Sequence, residues 1–187
     1  MRNIKSYLIT DPNYFSDNKE IFKEKLIAVL KNHKIDFACF RDKSSKNIEE
    51  LAKIFLQICK EFKIENILIN SNISLAIKLG FDGVHLNSQQ FDQIENAKKS
   101  KLITIISCHN LEELDKAINK NIDFVTYSPI FDTPNKGQSK GIDKLNEVIE
   151  KFPNLKIFAL GGIIQNEQIK EIEKTKAYGF ASIRYFI

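Results

Sequence analysis

Eight short apolar runs, separated by seven longer charged runs of helical period, constrain this chain more than any other feature. The runs are Ser6–Thr10, Phe37–Arg41, Asn66–Asn70, Gly83–Leu86, Leu102–Ser107, Phe124–Ile130, Lys156–Gly161 and Gly179–Tyr185. They are rich in β-branched and aromatic residues and apolar nearly throughout, as strands are when both faces are covered. Between them, Ile48, Leu51, Ala52, Phe55 and Ile58 recur at helical spacing within Lys46–Phe62, and Leu111–Asn119 and Glu167–Lys176 follow the same period. Alternation of strand and helix demands a parallel sheet, and eight strands suggest closure into a TIM (β/α)8 barrel. A doubly wound open sheet is the alternative. It is weakened because the first strand runs into Thr10-Asp11-Pro12 and not into a glycine-rich dinucleotide loop.

The sequence stops directly after the eighth strand, so the barrel's C-terminal helix is expected to be missing or much shortened. An uncovered face on strands eight and one would be apolar and would seek a partner, which predicts a homodimer. No linker or low-complexity stretch divides the 187 residues, so residues 1–187 read as one domain able to bury roughly 70% of its unfolded surface.

Composition excludes several classes. The net charge of +4 is mild, and Lys and Arg are interspersed with Asp and Glu, so nothing points to nucleic acid. No window approaches the ~20 apolar residues of a membrane helix. "MRNIKSYLIT" has no signal-peptide pattern. Three scattered cysteines, Cys39, Cys59 and Cys108, fit a reducing compartment and neither a disulfide framework nor a zinc site. A cytoplasmic protein is the expectation.

In a barrel of this type the chemistry sits at the C-terminal strand ends. Those ends carry Arg41 and Lys43, Asn70 and Ser71, Ser107 and His109, Thr133 and Lys136, and Gly161-Gly162. Arg41 offers a forked donor and Lys43 a point charge for phosphate, while the glycine pair lets backbone N–H groups approach an anion. His109 has the strand parity of Ser107 and faces the mouth with it, and imidazole suits proton transfer near neutral pH. Read singly, each is bland: a loop charge, a turn glycine, a residue leading into a helix. His85, inside GVHL, reads as a packed core residue and His33 as a surface one.

The segments "SYLITD", "FACFRDK", "ILINSNISLAIKLGFDGVHL", "ISCHNLEELDKA", "FVTYSPIFDTPNKG", "FALGGI" and "YGFASI" occur in an order and spacing that resemble the thiamine phosphate synthase and TenI superfamily. The resemblance covers essentially the whole chain. It implies a TIM barrel, usually dimeric, that binds a phosphorylated thiazole, with a loop like Thr133–Lys136 closing over phosphate or pyrophosphate. It also implies that Ser107 touches the ligand and that Gly162, with backbone near Ile183 and Arg184, holds its phosphate. Arg184 stands where the family usually has a small serine.

Other departures divide the family's activities. A synthase joins a pyrimidine methyl pyrophosphate to thiazole phosphate and needs Mg²⁺, yet the two family aspartates fall at Ser71 and Gln90. Neither supplies the anionic oxygen that Mg²⁺ prefers. Cys39 replaces a family glutamine, and Asn135 replaces a threonine. The first expectation is therefore a metal-independent thiazole tautomerase of the TenI type, with His109 as acid and base and no cofactor. The alternatives are a Mg²⁺-dependent thiamine phosphate synthase using Arg41, Lys43, Asn70, Thr133 and Lys136, and a non-catalytic barrel that binds thiazole phosphate or thiamine phosphate.

Overall fold

The computed structural model describes residues 4–134 and 136–187. Asn135, noted above as a departure from the family, lies outside the described residues. The strands are β1 (Lys5–Ile9), β2 (Phe37–Phe40), β3 (Asn66–Asn70), β4 (Gly83–Leu86), β5 (Ile103–Cys108), β6 (Phe124–Tyr127), β7 (Ile157–Leu160) and β8 (Gly179–Ser182). All neighbours pair in parallel, in sequence order, and β8 returns to pair with β1, closing the barrel. The helices are α1 (Pro12–Phe15), α2 (Lys19–Asn32), α3 (Ile48–Glu61), α4 (Ile73–Leu79), α5 (Ile94–Lys99), α6 (Leu111–Asn119), α7 (Gly141–Lys151) and α8 (Asn166–Glu173). The barrel is therefore the correct choice over the open sheet.

Local chemistry starts these helices where the strands end. Side chains of Asp11, Asn18, Asn72 and Asn110 accept hydrogen bonds from first-turn N–H groups of α1, α2, α4 and α6, satisfying donors that have no partner inside a helix. Each cap follows a β-strand by a few residues, or begins the second helix after β1, so helix starts cluster at one end of the barrel.

Strand alternation then sorts the side chains. Leu8, Phe40, Ile67, Ile69, Val84, Leu86, Ile106 and Val125 point outward and pack under the helices. Tyr7, Ile9, Phe37, Cys39, Leu68, Ile105 and Phe158 point inward. Near the N-terminal end the rings of Phe37, Phe124, Phe158 and Tyr178 meet with centroids 5.2–6.3 Å apart and fill the lumen. Gly179 makes this possible, since a Cβ there would lie 2.2 Å from the Lys5 carbonyl oxygen and 2.8 Å from Phe158 Cε1. The interior is a plugged core, so a ligand has access only from the ends.

Two strands are shorter than their apolar runs suggest. β6 stops at Tyr127, two residues before Pro129, which has no N–H for the ladder. β8 stops at Ser182, whose hydroxyl donates to the Ile163 carbonyl at 2.8 Å and accepts from Tyr185 N–H at 3.1 Å, turning the chain into a 3-10 helix at Arg184–Phe186. Phe186 stacks on Phe180 and meets the ring of His33 edge-on at 5.4 Å. The face of β8 expected to be bare is thus partly covered, and His33 is half-buried where it was expected at the surface. All three cysteines are buried and unpaired. Among the described residues no helix is long and apolar enough to cross a membrane.

Candidate active site

Every strand-end residue singled out from the sequence lies at the C-terminal mouth, because parallel strands all end there. On the β2 side, Arg41 is held twice. Its backbone N–H donates to Thr10 Oγ1 at 2.9 Å, and its Nη1 donates to the Asp11 carboxylate across the β1 loop. That ion pair is three-quarters buried, with side-chain exposures of 26% for Arg41 and 14% for Asp11. The guanidinium is oriented yet keeps four other N–H donors for an anion. Lys43 is exposed. Asp42 between them accepts from Ser44 N–H, Ser45 N–H and the Ser45 hydroxyl, so it closes its own turn.

The β3 and β4 ends are joined by neutral bonds. Asn70 Nδ2 donates to the His85 carbonyl at 2.9 Å. Gln90 Nε2 donates to the Ser71 carbonyl at 3.1 Å, and Asn87 Nδ2 donates to Ser71 Oγ at 3.3 Å. At the two family metal positions the structure therefore has a serine hydroxyl and a glutamine amide, each already hydrogen-bonded within these loops, and no carboxylate. Gln90 Oε1 accepts from Asn87 N–H at 3.1 Å. No group of three or more His, Cys, Asp or Glu side chains suited to a metal ion occurs among the described residues. This donor set does not fit a resident Mg²⁺, which needs anionic or neutral oxygens facing the ion.

Beneath the mouth lies a buried polar layer. His85, only 3% exposed, places Nδ1 2.9 Å from the Tyr7 hydroxyl and Nε2 3.1 Å from Ser107 Oγ. Thr126 Oγ1 lies 3.4 Å from both His85 Nε2 and Ser107 Oγ. Burial, aided by the positive charge of Arg41, pushes the His85 pKa down to about 3, so the ring is neutral. Burial pushes the Cys39 thiol up to about 12 and raises the Tyr7 phenol well above its ordinary value. Ser107 is half-buried and reaches from this layer to the mouth.

His109 stands beyond the end of β5, exposed, with its backbone N–H bound to Glu113 Oε2 at 2.5 Å. Its Nδ1 lies 3.2 Å from both the carbonyl and the hydroxyl oxygen of Ser128. The ring thus leans along the rim toward the end of β6. With Nδ1–H given to the Ser128 carbonyl, Nε2 carries the lone pair.

The β6 loop packs onto the β7 end. Phe131 N–H donates to the Gly161 carbonyl at 3.0 Å, and Thr133 Oγ1 donates to the Phe131 carbonyl at 3.0 Å. Lys136 is exposed on that loop. Gly161 has φ +99° and Gly162 φ +70°, both left-handed values, and a Cβ on Gly162 would lie 2.5 Å from the Asp132 carbonyl oxygen. Close loop packing alone therefore requires these glycines. Among the described residues the backbone N–H groups of Gly162 and Ile183 have no hydrogen-bond partner, and both residues are half-buried. Two free donors following the ends of the paired strands β7 and β8 suit a phosphate. Arg184 follows them at the start of the 3-10 helix.

Sequence reasoning did not single out Tyr7, Asp11, Thr126 or Ser128. Tyr7 and Thr126 have the inward parity of their strands, a detectable signal, whereas the pairing of Asp11 with Arg41 spans two loops and leaves none.

A family model described as thiamine monophosphate synthase matches residues 6–186. A protein of Aquifex aeolicus named "Putative thiamine-phosphate synthase 2" is 36% identical over 186 residues, covering 97% of this chain and 96% of its own length. The thiamine-phosphate synthase of Pelagibacter ubique is 35% identical over 163 residues, covering 84% of this chain and 76% of its own. Among solved structures, a thiamine phosphate pyrophosphorylase of Pyrococcus furiosus superposes with a TM-score of 0.82 at 25% identity, over 96% of this chain and 85% of that one. Nothing in these matches singles out the tautomerase branch. The end-to-end match, on a closed barrel whose mouth carries the family's strand-end segments, shows that this chain belongs to the thiamine monophosphate synthase family.

Proposed function

We propose that this protein binds a phosphorylated thiazole at the barrel mouth and joins it to a pyrimidine methyl pyrophosphate, the reaction for which its relatives are named. The observation that carries this reading is the end-to-end match to the Aquifex aeolicus protein. In the reaction the thiazole ring nitrogen supplies the electron pair for a new bond to the pyrimidine methylene carbon. The carbon–oxygen bond to pyrophosphate breaks, and pyrophosphate leaves with that bond's electrons. Arg41, Lys43 and Lys136 carry the positive charge at the rim that offsets charge growing on the leaving oxygens. The N–H groups of Gly162 and Ile183 hold the thiazole phosphate. No step is assigned to Mg²⁺ at Ser71 and Gln90, where the donors do not suit it. Incubation with both substrates, with and without added Mg²⁺, read by chromatography of thiamine phosphate, tests this. Absence of product at enzyme concentrations comparable to substrate sinks it.

A second reading is favoured by the Gln90–Ser71 bond, which suits chemistry that needs no metal. It is a proton shift that aromatises carboxythiazole phosphate, with His109 Nε2 taking and returning the proton. Absorbance or NMR of that substrate with added protein tests it, and an unchanged spectrum excludes it.

A further inference from the structure

The buried layer under the mouth has a definite hydrogen-bond direction. A neutral imidazole carries one N–H and one lone pair, so His85 must donate on one side and accept on the other. Among the described residues the Tyr7 hydroxyl, 2.9 Å from Nδ1, has one further polar neighbour, the buried Cys39 thiol, whose proximity helps to raise the phenol. Sulfur is a weak acceptor and imidazole nitrogen a strong one, so the phenol proton goes to Nδ1. The His85 proton then sits on Nε2 and is donated to Ser107 Oγ at 3.1 Å. Thr126 Oγ1 donates to the same oxygen at 3.4 Å. Both lone pairs of Ser107 are thus occupied by buried partners.

The group Ser107 has left is its own hydroxyl proton. Ser107, half-buried at the C-terminal end of β5, is the exposed member of a network whose other members, Tyr7, His85 and Thr126, are buried. Burial, which keeps His85 uncharged, holds this direction through the neutral pH range. We infer that Tyr7 and His85 are positioning residues that fix the Ser107 hydroxyl as a hydrogen-bond donor aimed into the mouth, so that the site selects a ligand presenting an acceptor, a phosphate oxygen or an unprotonated ring nitrogen, at that point. The inference rests on the proposed function for the identity of that ligand, thiazole phosphate. The orientation itself does not depend on it.

Two measurements test the two parts separately. Nitrogen NMR of the protein with labelled histidine reads the tautomer of His85 directly. The expected spectrum has the Nε2–H form alone, unchanged from about pH 5 to about pH 8. An Nδ1–H form or an imidazolium overturns the inference. Titration calorimetry with thiazole phosphate then compares wild type, Tyr7→Phe, Ser107→Ala and the double variant. Tyr7→Phe removes one oxygen, and the expected result is a mixed His85 tautomer with binding weakened about 3- to 10-fold, the size of one lost hydrogen bond. The double variant is expected to bind no worse than Ser107→Ala, since Tyr7 acts only through Ser107. A Tyr7→Phe loss that persists in full without Ser107 overturns the positioning role, as does a His85→Gln variant whose amide N–H fails to restore binding while His85→Leu and His85→Gln melt alike. Wild-type protein that does not bind thiazole phosphate at all refutes the proposed function, while the tautomer spectrum still decides the direction of the Ser107 proton.

Discussion

Gln90 bonds to Ser71 through its side-chain amide, Nε2 donating to the Ser71 carbonyl at 3.1 Å across 19 residues of sequence. Gln90 Oε1 in turn accepts from Asn87 N–H at 3.1 Å, so both polar atoms of this amide are engaged and neither position offers a cation an anionic oxygen. Titration of the protein with Mg²⁺ in the absence of any pyrophosphate is therefore expected to show no saturable heat. Ser71→Asp combined with Gln90→Asp supplies two carboxylates and is expected to bring binding into the millimolar range. Saturable Mg²⁺ binding by the wild type would show that oxygens other than these hold the ion.

Arg41 and Lys43 differ in how they are held. Arg41 is oriented by Asp11 and Thr10, whereas Lys43 is exposed. An oriented fork loses little freedom on binding an anion, and a mobile ammonium loses more. Arg41→Ala is expected to weaken pyrophosphate binding about 10- to 100-fold, and Lys43→Ala less than about 3-fold. Calorimetry with pyrophosphate reads both, and equal losses would contradict the difference in preorganisation.

Gly162 and Gly80 have similar backbones, φ +70° and +77°, but different surroundings. A methyl at Gly162 would press into the Phe131 and Asp132 carbonyls, whereas nothing lies within 4 Å of one at Gly80. Gly80→Ala is expected to cost about 1 kcal/mol of stability, and Gly162→Ala about 2–4 kcal/mol. Denaturant unfolding followed by circular dichroism gives both values.

His85 links stability to pH. Its folded pKa of about 3 lies below the ordinary value of 6.5. As pH falls below about 6.5 the unfolded chain binds the proton first, so stability is full above that value and declines toward pH 3. His33, lowered by burial, acts with the same sign. Between pH 7 and 5, above most carboxylate titrations, His85 is expected to account for about 2 kcal/mol of lost stability. The same measurement on His85→Gln should lack that component, and an unchanged pH dependence would place the ring proton elsewhere.

His109 separates the two proposed activities. Its Nε2 is the free nitrogen, since Nδ1 is engaged by Ser128. His109→Ala is expected to lower proton transfer on carboxythiazole phosphate by about 100-fold or more, the contribution of a positioned acid or base. Thiamine phosphate formation, which moves no proton in the bond-forming step, is expected to change less than about 5-fold. Side-by-side assays of the variant give the comparison.

Much of this protein was legible one residue after another. The alternation of apolar runs with amphipathic helices specified eight parallel strands, and the inward parity of Ser107 and the burial of His85 followed from the same period. Strand ends were less legible where a single atom decides them: the missing N–H of Pro129 and the hydroxyl of Ser182 stop β6 and β8 inside apolar stretches. Three-dimensional closure alone decided the rest. Which inward side chains meet across a barrel depends on strand tilt and register, so Tyr7 of β1, His85 of β4, Ser107 of β5 and Thr126 of β6 become one network only when the sheet closes. The same closure turned Asp11 onto Arg41 and Gln90 onto Ser71. Periodicity records what each residue faces, in or out, because burial is a property of single side chains, but hydrogen bonds between distant strands are a property of pairs, and only the folded barrel brings those pairs within hydrogen-bonding distance of one another.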